Sequence, residues 1–167
     1  MPGYAHSLPE DRMKTEKIYL KPGELFLSEK PSLVTTVLGS CVAVTMFSQK
    51  CKVAGICHAL LPRSPSSGEA FRYVDTSIYY MLGKLQMLGA KKEEIEVKLF
   101  GGANVLDYSN ERSSVGQSNV EAAISIIKAE KLTMIACDVG GNRGRKIVFD
   151  TCRGRILLKR IKGRPSW

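Results

Sequence analysis

With 167 residues, 44% of them hydrophobic and 25% charged, the chain has the composition of an ordinary globular domain, which excludes intrinsic disorder. No apolar run approaches the roughly 20 residues that a helix needs to span a bilayer, and the polar, proline-broken start MPGYAHSLPEDRMKTE is unlike a secretory signal. The formal charge of +9 reads first as a solvated basic face and next as attraction to an acidic protein; no zinc finger, aromatic RNA-binding octamer or recognition helix accompanies it, so nucleic acid is not expected.

Residues 1–16 read as a flexible tail and 17–167 as a single domain. Lys17–Leu20 and Glu24–Leu27 are short strands joined by the turn pair Pro22-Gly23. Three apolar segments rich in Val, Ile and Thr follow, Leu33–Leu38, Cys41–Phe47 and Val53–Leu61, divided by Gly39-Ser40 and by Ser48-Gln49-Lys50. Arg63–Ala70 consists almost wholly of turn formers and is expected to be a loop beside any site on the preceding strand. The spacing of Ile78, Leu82, Leu85 and Leu88 predicts a helix over Tyr73–Gly89, capped by Asp75 and ended at Gly89. Ile95–Phe100 alternates as a strand, and a second helix is predicted from Ser118, with Glu121 completing a capping box and Val120, Ile124 and Ile127 facing inward. Thr133–Val139, Lys146–Asp150 and Arg155–Ile161 close the chain as strands. Residues 140–145, GGNRGR, are expected to form a hairpin connection, with Arg143 or Arg145 available to hold an acidic group of a partner. This order predicts an α/β fold of mixed, largely antiparallel sheet with two main helices on one side.

Five irregularly spaced cysteines without a CxxC pair indicate free thiols in a reducing cytoplasm and lack zinc-ligand spacing. Buried packing is the ordinary role for four of them, Cys51, Cys57, Cys137 and Cys152. Cys41 differs, because Gly39 and Ser40 let the backbone turn sharply and expose both the thiol and its N–H, a setting for a nucleophile with an oxyanion donor. His58 is the only histidine outside the tail, and antiparallel pairing of its strand with that of Cys41 would bring the two together as nucleophile and base. On spacing alone, a packed cysteine and a hydrogen-bonded core histidine remain open readings.

The ordered blocks LGSCVAV, HALLP, RYVDTSIYYML, KLFGGANV and DVGGNRGRKIVF, with Gly154 and Arg160 in a final strand, resemble the CheD family of chemoreceptor glutamine deamidases over residues 23–161. The resemblance implies a layered α/β/β fold and a Cys-His-Thr triad in which the thiol of the GSC segment is nucleophile and the His of HxxLP is base. A Thr six residues before the Cys completes it. By position these are Cys41, His58 and Thr35, with Thr36 as the rival for the third place, since strand alternation lets only one of the two threonines face His58. The implied reaction hydrolyses receptor glutamine to glutamate and ammonia through a Cys41 thioester without a metal or organic cofactor. The implied partners are chemoreceptor cytoplasmic domains and the phosphatase CheC. A non-catalytic adaptor binding receptor or CheC is the alternative, and a hydrolase or transglutaminase acting on other amides is a second; the first is opposed by the presence of all three residues at the family's offsets.

Overall fold

The computed structural model describes residues 14–65, 70–105 and 114–162. The strands are β1 (Glu16–Tyr19), β2 (Leu25–Ser28), β3 (Ser32–Leu38), β4 (Val42–Ser48), β5 (Val53–Ala59), β6 (Glu96–Gly101), β7 (Thr133–Val139), β8 (Arg145–Asp150) and β9 (Arg155–Arg160). Helix α1 (Val74–Met87) lies between β5 and β6, and α2 (Val115–Ala129) between β6 and β7. The strands divide into a five-stranded sheet of order β2-β5-β4-β6-β7 and a four-stranded sheet of order β1-β3-β8-β9. Most neighbours are antiparallel; β1 with β3 and β6 with β7 are parallel.

Burial along the strands explains the layering. Every residue of β4 and β5 is buried, as expected for strands covered on both faces. One face, with Val42, Val44, Met46, Val53 and Cys57, packs against Ile78, Met81, Leu85, Ile126 and Ile127 of the helices. The other, with Ala43, Phe47, Ala54 and Ile56, meets Val34, Leu38, Ile147 and Phe149 of the second sheet. Strand β3 is covered on one face only, so Val34, Thr36 and Leu38 are buried while Val37 is exposed. The result is the α/β/β sandwich with both helices on one side, and among the described residues no helix is long and apolar enough to cross a membrane.

Several local expectations change. The three apolar segments of residues 33–62 are split between sheets: β4 and β5 pair, whereas β3 pairs with β1 and β8. Residues 140–145 are not a hairpin, because β7 is an edge of one sheet and β8 lies inside the other. Gly140 and Gly141, with φ of 78° and 71°, turn the chain between sheets. Arg145 does not face a partner: it is 2% exposed, its Nε donates to Asp138 Oδ1 at 2.7 Å, and its Nη2 donates to the Gly140 carbonyl at 2.9 Å. Arg143 is also engaged, donating from Nε to the Ile161 carbonyl. Helix α2 starts three residues before the expected Ser118, with Ser114 as its N-cap accepting from Gln117 N–H at 3.2 Å. Asp75 is the second residue of α1 rather than its cap, and it accepts from Ser64 N–H at 3.0 Å, tying the start of the Arg63–Ala70 loop to the helix. Residues 66–69 of that loop and residues 1–13 of the predicted tail lie outside the described residues, and β1 already begins at Glu16.

Glycines report how tightly α2 is seated. A Cβ on Gly116 would lie 2.6 Å from the Gly102 carbonyl oxygen, whereas one on Gly83 of α1 would meet nothing within 4 Å. Gly116→Ala is therefore expected to lower stability by about 1–3 kcal/mol through backbone displacement, and Gly83→Ala to raise it by about 0.5–1 kcal/mol through helix propensity. Urea unfolding of the two variants, compared with the parent, checks the opposite signs.

Candidate active site

The turn between β3 and β4 carries Cys41, and three successive carbonyls in it are held. The Gly39 carbonyl accepts from Ala103 N–H at 2.9 Å, that of Ser40 from Asn119 Nδ2 at 3.0 Å, and that of Cys41 from Gly102 N–H at 2.8 Å. Gly101 and Gly102 adopt φ of 104° and 66°, and a Cβ on Gly101 would fall 2.3 Å from the Cys41 carbonyl oxygen. Only glycine lets this segment approach so closely. Among the described residues the Cys41 N–H donates to no backbone carbonyl. The half-buried thiol packs against the layer between the two sheets.

His58 enters the same layer from β5. It is paired with Ala43 in register, two residues beyond Cys41 on the neighbouring strand, so Cys41 and His58 occupy diagonal positions on one face of the antiparallel pair. Cys57 points to the opposite, helix-facing side. Backbone bonds to both sides of the β2 turn fix the histidine: its N–H donates to the Glu24 carbonyl at 3.0 Å and its carbonyl accepts from Gly23 N–H at 2.8 Å.

The third group crosses from the other sheet. Thr36 Oγ1 lies 2.7 Å from His58 Nδ1 and donates to the Leu20 carbonyl, also at 2.7 Å. A hydroxyl has one proton and the carbonyl can only accept, so both contacts are hydrogen bonds only if Nδ1 carries the ring proton and donates to Thr36. Nε2 is then the unprotonated, basic nitrogen. The hydroxyl within hydrogen-bond distance of His58 is that of Thr36, the rival to Thr35, because alternation along β3 turns Thr36 inward and Thr35 away. Thr35 contributes through its backbone: its carbonyl accepts from Leu20 N–H at 2.8 Å, holding the residue whose own carbonyl anchors Thr36.

The family described as CheD chemotactic sensory transduction matches residues 60–160. A Geobacter sulfurreducens protein named "Probable chemoreceptor glutamine deamidase CheD 2" is 49% identical over 89% of this chain and 92% of its own. The chain belongs to the CheD family. Further CheD relatives named probable chemoreceptor glutamine deamidases come from Maridesulfovibrio salexigens, 41% identical over 93% of this chain and 98% of its own, and from Thermococcus kodakarensis, 35% identical over 83% and 89%. A crystal structure of a Neisseria meningitidis protein overlays with a TM-score of 0.44 and 9% identity, covering 75% of this chain and 63% of that one.

Burial sets the protonation states of this CheD site. It raises the Cys41 thiol above its ordinary 9.0, against the stabilising pull of the residue's own N–H on the thiolate. It lowers His58 to about 4, although the Glu24 carboxylate and the Leu20 carbonyl pull the other way. Both shifts disfavour the charged forms, the thiolate of Cys41 and the imidazolium of His58. Cys57, pushed up to about 12 by complete burial, is inert.

Sequence reading missed two supports of the CheD site. The Gly101-Gly102 pair lay in the quoted KLFGGANV block without a stated role. Asn119 sits on the buried stripe of α2 with Gly116, Ala122, Ala123 and Ile126. A polar residue on an otherwise apolar stripe was the signal available for it.

Two pH dependences follow from burial. Alkylation of Cys41 by iodoacetamide, followed by peptide mass, is expected to stay slow at neutral pH and to climb above pH 9.0; a flat rate across the neutral range would contradict the raised thiol pKa. For stability, the unfolded histidine titrates at 6.5 and the folded one at about 4, so in that window the unfolded chain binds the extra proton. The His58 contribution is complete above pH 6.5 and is lost as pH falls toward about 4, with a limiting slope of about 1.4 kcal/mol per pH unit. Urea midpoints measured across this window should fall less steeply for His58→Gln than for the parent.

Proposed function

We propose that this chain is a protein-glutamine deamidase of chemotaxis adaptation, converting selected glutamine side chains of chemoreceptor cytoplasmic domains to glutamate. The observation that carries this reading is the Thr36–His58 hydrogen bond across the two sheets, which leaves a basic Nε2 in the layer that also holds the Cys41 thiol. The names of the curated relatives supply the substrate class.

In the proposed reaction a receptor carboxamide enters beside Cys41, and His58 Nε2 takes the thiol proton as sulfur attacks the carbonyl carbon. The burial-raised thiol pKa means that this transfer accompanies attack instead of preceding it. The negative oxygen of the tetrahedral adduct faces the Cys41 N–H, which is not committed to a backbone carbonyl among the described residues. His58 returns the proton to the departing ammonia, leaving a thioester on Cys41. Water, deprotonated by neutral His58, then attacks the thioester; glutamate leaves and sulfur regains its proton. Positioned proton transfer of this kind contributes about 10² to 10⁴ in rate. No step calls for a metal or an organic cofactor.

The basic balance of the chain, +9, suits encounter with an acidic receptor surface. A hollow of about 310 Å³ beside Leu60, bounded by Pro22, Gly23 and Ala70–Arg72, borders the end of β5 and would receive part of the receptor segment. A cytoplasmic location and regulation through the phosphatase CheC belong to the same reading.

Incubation with a chemoreceptor cytoplasmic fragment, followed by ammonia release and peptide mass spectrometry, tests it. Cys41→Ala is expected to abolish conversion of glutamine to glutamate, and Cys57→Ala to retain it. Thr36→Val should lower turnover by about 10-fold or more by releasing the ring tautomer, with Thr35→Val near the parent. Undiminished activity in Cys41→Ala would remove the nucleophile from the scheme, and binding without conversion would favour an adaptor.

A further inference from the structure

We infer that Asn119 is a positioning residue of the oxyanion site, aiming the Cys41 N–H by holding the other end of its peptide plane. The inference rests on the proposed thiol chemistry and extends it to a residue on a different element.

Asn119 lies on α2 and is completely buried. Its Nδ2 group donates one proton to the Ser40 carbonyl at 3.0 Å and the other to the Leu60 carbonyl at 2.9 Å. Two oxygens that can only accept determine the orientation of the amide, since its own oxygen could bond neither. That oxygen, Oδ1, is buried and has no hydrogen-bond partner among the described residues. An unpaired buried acceptor is destabilising. Asn119 is therefore present for its two donors, and its location says what they serve.

The Ser40 carbonyl and the Cys41 N–H belong to one peptide unit, planar and trans, so they point in opposite directions. Fixing the carbonyl against α2 sends the N–H away from the helix. The flanking carbonyls of Gly39 and Cys41 are held by Ala103 and Gly102, so this plane is the one in the turn controlled by a side chain. The second donor holds Leu60, two residues beyond His58 on the adjoining chain segment. One side chain thus ties the segment carrying the nucleophile to the segment carrying the base. Gly116, three residues earlier on α2, packs directly on the Gly102 carbonyl, which keeps the helix close enough for a short Asn side chain to reach both.

The test uses the full chain with Asn119→Leu, which keeps the shape and removes both donors, and Asn119→Ser, which is smaller and retains one hydroxyl donor. Loss of an aimed oxyanion donor is expected to lower kcat for receptor-fragment deamidation by about 10- to 100-fold in Asn119→Leu, with KM within about twofold because ground-state binding is untouched. Asn119→Ser should recover part of the loss. A readout independent of the receptor comes from Cys41 itself. Its N–H stabilises the thiolate, so a freed plane should move the pH profile of iodoacetamide alkylation to higher pH by about half a unit or more. Parental kcat and an unshifted profile in folded Asn119→Leu overturn the inference. Failure of both variants to fold also overturns it, by making Asn119 a determinant of the fold alone. A Cys41→Ala control that retains activity would instead remove the thiol chemistry on which the inference rests.

Discussion

Capture of the carbonyls of Gly39, Ser40 and Cys41 is the constraint on which the site depends. A turn between two strands of different sheets has no ladder of its own, and its polar groups must be paired by whatever surrounds them. Here the donors come from the glycine-rich end of β6 and from α2, so the helix layer, the five-stranded sheet and the turn that carries Cys41 are locked together. The close approach that this requires is bought with glycine at 101, 102 and 116, where a Cβ would strike backbone atoms. Stability and site geometry therefore share the same contacts.

The second organising contact, Thr36 to His58, spans the two sheets. It satisfies a buried imidazole that would otherwise be costly and fixes its tautomer through the hydroxyl's commitment to Leu20. Burial of the ring keeps it neutral, with Nε2 unprotonated. The same burial pushes the Cys41 thiol up.

Charge is arranged differently at the far end of the β7–β8 connection. Asp138 pairs with Arg145 at 2.7 Å and with Arg160 at 2.7 Å, joining the edge of one sheet to two strands of the other. Arg145 is buried and hydrogen-bonded to backbone carbonyls as well, so part of the arginine-rich segment that looked like a partner-facing patch is an internal brace. The basic surface available to an acidic partner is accordingly smaller than the formal charge suggests.

Reading residues in order was enough for most strands, for the α1 stripe of Ile78, Leu82 and Leu85, and for the special context of Cys41, because hydrophobic period and turn chemistry are local properties. The place of His58 as the single histidine outside the tail was legible too, and family blocks added a threonine. Local pattern could not say that β3 belongs to a different sheet from β4, since both are apolar segments joined by a short turn; sheet membership is settled by which face each strand can bury. That division puts the Thr36 hydroxyl against His58, because only a residue on the inward face of β3 can reach a ring on the opposing sheet. It also made the Gly140–Arg145 segment a crossing between sheets, and it brought Asn119 within reach of Ser40, 79 positions earlier. The sequence by itself determined the elements and the turn that carries Cys41; sheet pairing and the surroundings of Cys41 and His58 were decided by the tertiary structure, because each depends on groups distant in the chain that burial forces together.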